Sequence, residues 1–279
     1  MFTKTFGKTG WQVTAIGLGT WNLGNQWGDI DDATSWATIR AAYDAGVNLF
    51  DTAESYGIPN GLSEERLGVA LAGIRQNVYV VSKIGNWGKR TGQGVPKTTV
   101  DMIRLCAHAQ LHRLRTDWLD VVLCHEGNIE DPSIYLEGFE ALVDEGRVRA
   151  YGISTNSLDV LKRFNANGTC SVVQVDYSLL NRAPEAEFLP YCQANDIGVM
   201  VRGPLAMGLL SGRYSSETVF TDTVRANWHA DAGEPLIREL LDEVAPGDTL
   251  LVKGSNRVFW AQGFVSRLTD ALTVRFSTQ

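Results

Sequence analysis

The segment Asp51-Thr52-Ala53-Glu54-Ser55-Tyr56-Gly57 sets a carboxylate and a phenol five residues apart, directly after the apolar run 47–50. A strand ending there would aim both at one pocket. Three further ionisable residues follow comparable apolar runs or sit within them: Lys83 in VYVVSKIG, His125 in LDVVLCHEGN and Arg202 in IGVMVRGP. Polar groups inside sequences that read as buried strands are costly to desolvate and need a compensating reason. Carboxylate, phenol, ammonium and imidazole are proton-handling groups. Taken singly, each reads as a cap or a core residue; meeting at one rim, they read as a functional set.

The elements that must position them follow from the pattern of the chain. Short β-branched runs alternate with longer segments of helical period, and strands are predicted over 15–18, 48–51, 78–83, 119–124, 150–154, 172–177, 198–202 and 249–253. Helix signals lie between them: Asp31 and Asp32 ahead of a segment closed by Gly46, Ser63 opening one that runs to Gly73, a long segment over 100–114, Pro132 in the first turn of one reaching Gly146, and Pro184 opening another. Eight such units favour right-handed parallel crossovers and closure into an α/β (β/α)8 barrel over an open doubly wound sheet. No GxGxxG fingerprint follows the first strand. FTKTFG and WQVTAI flank Lys8-Thr9-Gly10 and predict an N-terminal hairpin closing the barrel floor. No linker or low-complexity stretch interrupts the chain, so 1–279 reads as one domain. In a barrel of this kind the C-terminal strand ends gather over one opening, which sorts Asp51, Tyr56, Lys83 and His125 together.

Composition limits the partners. The chain has 279 residues, is 44% hydrophobic and 20% charged, and so can bury a large core. A formal net charge of −7 without a basic block argues against nucleic acid. The apolar runs are strand-length, predicting no membrane span, and MFTKTFGKTG lacks the apolar core of a signal peptide, so a cytoplasmic location is expected. Cys106, Cys124, Cys170 and Cys192 are dispersed without CxxC spacing, which reads as reduced core thiols and no metal site. The sequence leaves the oligomeric state open.

Several ordered motifs resemble the aldo-keto reductase family: GLGTW at 17–21, DTAESYG at 51–57, SK at 82–83, LDVVLCHEGN at 119–128, EGRVRAYGIST at 145–155, VVQVDYSLLNR at 172–182 and GPLAMGLLSGRY at 203–214. The resemblance implies a catalytic tetrad of Asp51, Tyr56, Lys83 and His125 and the reduction of a small carbonyl compound. The physical reading agrees. A carbonyl needs hydride on carbon and a proton on oxygen. Tyr56 can give that proton, with Lys83 expected to lower the phenol's pKa, Asp51 to keep Lys83 charged, and His125 to orient the carbonyl oxygen.

The resemblance further implies a nicotinamide cofactor, NADPH with NADH possible, lying across the barrel mouth. Gly19, Thr20, Trp21 and Asp51 are expected to contact it. Ser154, Asn156 and Gln174 face its carboxamide, with Asn156 one position further from Ser154 than in the family's SN pair, because Thr155 intervenes. Tyr177 is expected to stack on the ring. The loop 203–212, with Gly203, Pro204, Leu205, Gly208 and Gly212, is expected to bring backbone amides to the pyrophosphate, and Arg202 is a further expected cofactor contact. The implied substrate mouth is formed by Trp21, Tyr56, Trp87 and His125.

The carboxyl end departs from the family pattern over about 220–279. A helix is predicted over 235–244. Beyond it, Lys253, Ser255 and Arg257 in TLLVKGSNRV partly match the family's phosphate-binding pattern, while the expected Pro and Glu-Asn pair are missing. This piece is also similar to the carboxyl end of Mur peptide ligases. An alternative function is a non-catalytic or slow nicotinamide-binding subunit that senses redox state; the intact tetrad favours the enzyme.

Overall fold

The computed structural model describes residues 1–85, 93–214, 218, 220–222 and 225. Strands β1 (Thr3–Thr5) and β2 (Gln12–Thr14) pair antiparallel around a 3-10 turn at Gly7–Thr9, giving the expected hairpin. Seven parallel strands follow in sequential order: β3 (Leu18–Gly19), β4 (Leu49–Asp51), β5 (Tyr79–Gly85), β6 (Leu119–His125), β7 (Val148–Ser154), β8 (Val172–Asp176) and β9 (Gly198–Arg202). Each consecutive pair is bridged by a helix: α1 (Asp32–Asp44), α2 (Leu62–Ala70), α3 (Val100–Leu114), α4 (Ser133–Asp144), α5 (Leu158–Phe164) and α6 (Phe188–Ala194). This is the architecture of a (β/α)8 barrel with an N-terminal hairpin. The candidate eighth strand, 249–253, and the candidate helix 235–244 lie outside the described residues.

Period-two alternation divides the strand side chains between two cores. Outward residues such as Phe50, Val80, Ile84, Val122 and Val173 pack with Ile39, Leu67, Ile103, Phe139 and Leu161 of the helices. Inward residues Leu49, Val81, Val121, Leu123, Ala150, Val172 and Met200 form a second core, and Phe6 and Val13 of the hairpin complete it from below. Gly198 admits Phe6: a Cβ there would lie 2.7 Å from its ring. The helices start where local chemistry directs. Asp31, Thr99 and Ser157 each accept a hydrogen bond from a backbone N–H of the first turn of α1, α3 and α5.

Three expected boundaries move. The first barrel strand is Leu18–Gly19 and not 15–18, because the hairpin claims the earlier residues: Ala15 N donates to Phe2 O, and Thr14 N to the Asn48 side chain. Ser63 is not a cap. Helix α2 begins at Leu62 behind Gly61, whose φ of 84° suits glycine, and Ser63 is buried with its hydroxyl turned toward Thr20. Pro184 sits in a 3-10 turn, Ala183–Glu185, and α6 starts later, at Phe188.

Contacts divide the chain into two units, one of Met1–Tyr177 with Asn181–Arg202 and one of Ser178–Leu180 with Gly203–Gln279. All nine strands found among the described residues lie in the first. Within the second, a 3-10 segment spans Ala206–Ser211, and Arg225 pairs with Asp222, donates to Met207 O and lies over the rings of Tyr214 and Phe220. Among the described residues no helix is long and apolar enough to cross a membrane. The four cysteines are free thiols, three of them buried.

Because Phe6 fills the floor of the inner core, Phe6→Ala is expected to cost about 3–5 kcal/mol of stability, read from denaturant midpoints. A loss below about 1 kcal/mol would show that the hairpin covers the floor without sealing it.

Candidate active site

The site is a polar ring one alternation step above the apolar inner core. Asp51, Lys83, His125, Gln174 and Arg202 each stand two residues beyond Leu49, Val81, Leu123, Val172 and Met200, and Ser154 stands two beyond Gly152. Strand period alone turns all six toward the opening at the C-terminal ends. Tyr56 differs in kind, because it hangs from the turn that follows β4.

Asp51, Tyr56 and Lys83 meet around the lysine, and His125 lies across the phenol. Lys83 is fully buried, and its Nζ donates to Asp51 Oδ1 at 2.7 Å, to Thr52 O at 2.7 Å and to the Tyr56 hydroxyl at 3.2 Å. These three acceptors match the three protons of an ammonium. The Tyr56 and His125 rings meet edge to face with centroids 6.1 Å apart. On its other side, the phenol ring stacks on Trp21 at 5.7 Å. Asp51 is steadied through its backbone, where Thr20 N and Oγ1 both donate to Asp51 O. The Lys83 carbonyl accepts from the buried Gln110 of α3.

The electrostatics separate the roles of these groups. Burial opposes charge on Lys83, but Asp51 and Tyr56 outweigh it and hold the ammonium above its ordinary pKa. Burial pushes the Tyr56 phenol upward; Lys83 pulls it down and Asp51 opposes that pull, so the net shift is up. The expectation that Lys83 lowers this pKa therefore gives its sign but not the balance, because desolvation is larger. Burial, with the positive charges of Lys83 and Arg202, lowers His125 to about 3. Its imidazole is neutral throughout the physiological range.

The remaining expected residues fall into five groups. Ser154, Asn156, Gln174 and Arg202 come together: Ser154 Oγ lies 3.5 Å from Gln174 Oε1, and Asn156 Oδ1 accepts from Asp176 N at 3.0 Å and from Arg202 at 3.2 Å. Thr155, between Ser154 and Asn156, is buried, its hydroxyl donating to Gly127 O at 2.6 Å, while Asn156 is exposed in the bend that follows β7. Tyr177 follows β8, and its hydroxyl donates to Glu185 Oε1 at 2.5 Å. Thr20 and Trp21 stand beside Asp51 and Tyr56, and Gly19 pairs with Asp51 in the sheet. Gly203, Pro204, Leu205, Gly208 and Gly212 belong to the second unit, where Gly203, Gly208 and Gly212 take positive φ. Trp87, Lys253, Ser255 and Arg257 lie outside the described residues.

Sequence reasoning missed Trp27, edge-on to Trp21 at 4.9 Å, and Gln26, which binds the Trp21 indole. Both lie within seven residues of GLGTW, but only their contacts mark them. It also passed over Glu54. That side chain is wholly buried; its Oε1 accepts from Gly85 N at 3.0 Å and lies 3.6 Å from Lys97 Nζ. A carboxylate inside DTAESYG was a signal in plain view.

The model of the aldo/keto reductase family matches residues 15–245. The chain is 34% identical to the aldo-keto reductase YhdN of Bacillus subtilis, over 87% of this chain and 73% of that protein. It resembles the holo structure of the aldo-keto reductase AKR11C1 from Bacillus halodurans, with a TM-score of 0.71 and 31% identity, over 90% of this chain and 79% of that one. An aldo-keto reductase of Klebsiella pneumoniae in complex with NADPH is 34% identical, with a TM-score of 0.62, over 76% of this chain and 71% of that one.

Glu54 gives the site's surroundings a pH signature. Burial raises its carboxyl to about 7 against the partial opposition of Lys97 and Gly85 N. A folded-state pKa above the ordinary carboxyl value contributes stability that is complete below about 4.5 and lost as pH rises through about 7. The wild type should therefore lose up to about 3 kcal/mol between pH 4.5 and 8 that Glu54→Gln retains. Urea midpoints measured at pH 5 and pH 8 decide it; equal pH slopes in the two proteins would refute the assignment.

Proposed function

From the premise that the chain belongs to the aldo-keto reductase family, and so is an NAD(P)-dependent oxidoreductase, we propose that it reduces small aldehydes and ketones to alcohols, with NADPH as cofactor and Tyr56 as proton donor. The observation that carries this reading is the contact of the buried Lys83 ammonium with the Tyr56 hydroxyl at 3.2 Å and with Asp51 at 2.7 Å. When bound, the reduced nicotinamide supplies hydride to the carbonyl carbon.

The residues take their roles from their protonation. Tyr56 keeps its proton at neutral pH because burial raises its pKa. It releases that proton only to a stronger base, the alkoxide that forms as the carbonyl is reduced, and Lys83 stabilises the phenolate left behind. Asp51 acts through Lys83, holding the ammonium charged in a buried place. Neutral His125 contributes a ring N–H toward the carbonyl oxygen and does not compete as an acid. Ser154, Asn156 and Gln174 form a polar rim over an apolar floor, which suits the carboxamide of a nicotinamide. Tyr177, fixed through Glu185, offers a ring platform. Gly19 and Thr20 border the nicotinamide beside Asp51. Arg202 is assigned to the cofactor; the loop of Gly203, Pro204, Leu205, Gly208 and Gly212 is assigned to the pyrophosphate by its glycines, and Lys253, Ser255 and Arg257 to the extra phosphate of NADPH by their residue types. Trp21, with Trp27 edge-on to it, gives the substrate mouth an aromatic wall that favours apolar carbonyl compounds over charged sugars. On this reading 1–279 acts as one reductase domain.

The test is loss of reduced-nicotinamide absorbance with an aromatic aldehyde. Tyr56→Phe is expected to lower kcat by about 10²- to 10⁴-fold while NADPH binding is kept. A Phe variant with near-native turnover would sink the mechanism, and tight cofactor binding without turnover by the wild type would turn the reading to a redox-sensing subunit.

The pH dependence separates the two candidate acids. With His125 near 3 and Tyr56 above its ordinary value, the kcat of reduction should be flat from pH 5 to 8. Alcohol oxidation, which needs phenolate, should rise with pH over the same range. An acid limb near pH 6.5 in the reduction profile would put the working proton on His125.

A further inference from the structure

We propose that Gln26 is a positioning residue for the proton donor, gripping the Tyr56 turn from both sides and fixing the aromatic face against which the phenol rests. The inference rests on Tyr56 being the donor. Gln26 Oε1 accepts from Gly57 N at 3.0 Å and from Trp21 Nε1 at 2.6 Å, and Gln26 Nε2 donates to Ser55 O at 3.3 Å. The amide thus holds the residues immediately before and after Tyr56. It also ties down the indole that stacks on the Tyr56 ring. The orientation of the amide is fixed by its partners: two N–H donors require an oxygen, and a carbonyl requires the NH₂.

The segment that carries Gln26 is itself anchored. Arg66 of α2 is buried, donates to Leu23 O at 2.6 Å, to Asn25 Oδ1 at 2.8 Å and to Ile30 O at 2.8 Å, and pairs with Asp32 at 2.8 Å. Four contacts from one guanidinium secure the loop on either side of Gln26. The backbones of the two loops also meet directly. Ile58 N donates to Gly24 O at 2.8 Å, and a Cβ on Gly24 would lie 2.7 Å from Gly57 Cα. Gln26 is therefore a side-chain bridge between two turns already pressed together.

Such a bridge matters because Tyr56 is the member of the tetrad that no strand holds. A misplacement of about 1 Å at a reacting group costs on the order of 100-fold in rate, and a side chain carried by a turn is where such a shift is easiest. Lys83 orients the hydroxyl end of the ring; Gln26 orients its root.

The experiment uses full-length protein and steady-state aldehyde reduction with NADPH, with cofactor Kd from quenching of tryptophan fluorescence. Gln26→Met keeps the shape and removes the hydrogen bonds; Gln26→Asn keeps the amide but withdraws it by one methylene, and gives the reading if the Met variant does not melt cooperatively. Both are expected to lower kcat by about 10- to 100-fold with aldehyde KM and NADPH Kd within about twofold. In a Tyr56→Phe background the same Gln26 change should add less than about twofold, because its effect runs through the missing hydroxyl. An unchanged kcat, a loss carried by KM, or an equal loss in both backgrounds would overturn the inference. A crippled Tyr56→Phe with a fully active Gln26→Met refutes the inference alone; near-native turnover by Tyr56→Phe refutes the proton-donor reading and the inference with it.

Discussion

Everything at the barrel mouth depends on one buried ion pair. An ammonium with no exposed surface is expensive to desolvate unless all its protons are taken, and Lys83 meets that condition with Asp51, Thr52 O and Tyr56. The arrangement holds only while β4 and β5 keep their register, since Asp51 pairs with Val81, one alternation step below Lys83. A slip of one residue would turn Lys83 outward, into a layer already filled by Val80 and Ile84. The apolar core therefore does more than stabilise the fold. By fixing register, it decides which charges meet, and the pKa values of Lys83, Tyr56 and His125 follow from that meeting.

The ring of functional groups was largely legible in the sequence because it is a consequence of periodicity. Once 48–51, 78–83, 119–124, 172–177 and 198–202 read as strands, the residues two steps beyond an inward apolar side chain must point into the opening. Asp51, Lys83, His125, Gln174 and Arg202 need only that rule. The helices were legible for a similarly local reason, through signals such as the Asp31 cap of α1. What misled was competition for the same residues. Ala15 has the look of strand, yet the hairpin takes its N–H; Ser63 has the look of a cap, yet a buried hydroxyl network takes its side chain. A local signal cannot show that a distant partner has made a better offer.

The residues that were not legible share a feature. Gln26 and Arg66 act across loops, joining segments about thirty to forty positions apart, and nothing in their own neighbourhoods announces the partner. Sequence gives the sign of an electrostatic effect but not its balance. That Lys83 would favour phenolate follows from charge alone, whereas the upward net shift of Tyr56 depends on how much water the packed mouth excludes.

That upward shift fits the chemistry better than a lowered pKa would. A phenol already half ionised would hold its proton only part of the time, and in the carbonyl-reducing direction each unprotonated molecule is idle. Burial keeps the proton on Tyr56 until a stronger base appears, and the ammonium at 3.2 Å lowers the cost of parting with it only at that moment. The demand then passes from pKa to position, because a donor that is always loaded is limited by where its oxygen sits. Lys83, Asp51 and His125 inherit their places from strands. Tyr56 has a turn, with Trp21 against its ring, Ser63 N on its carbonyl and Gln26 across its flanking peptides. A fold that builds its site on stiff strand ends has to recover, through side chains, the stiffness that its one loop-borne member lacks.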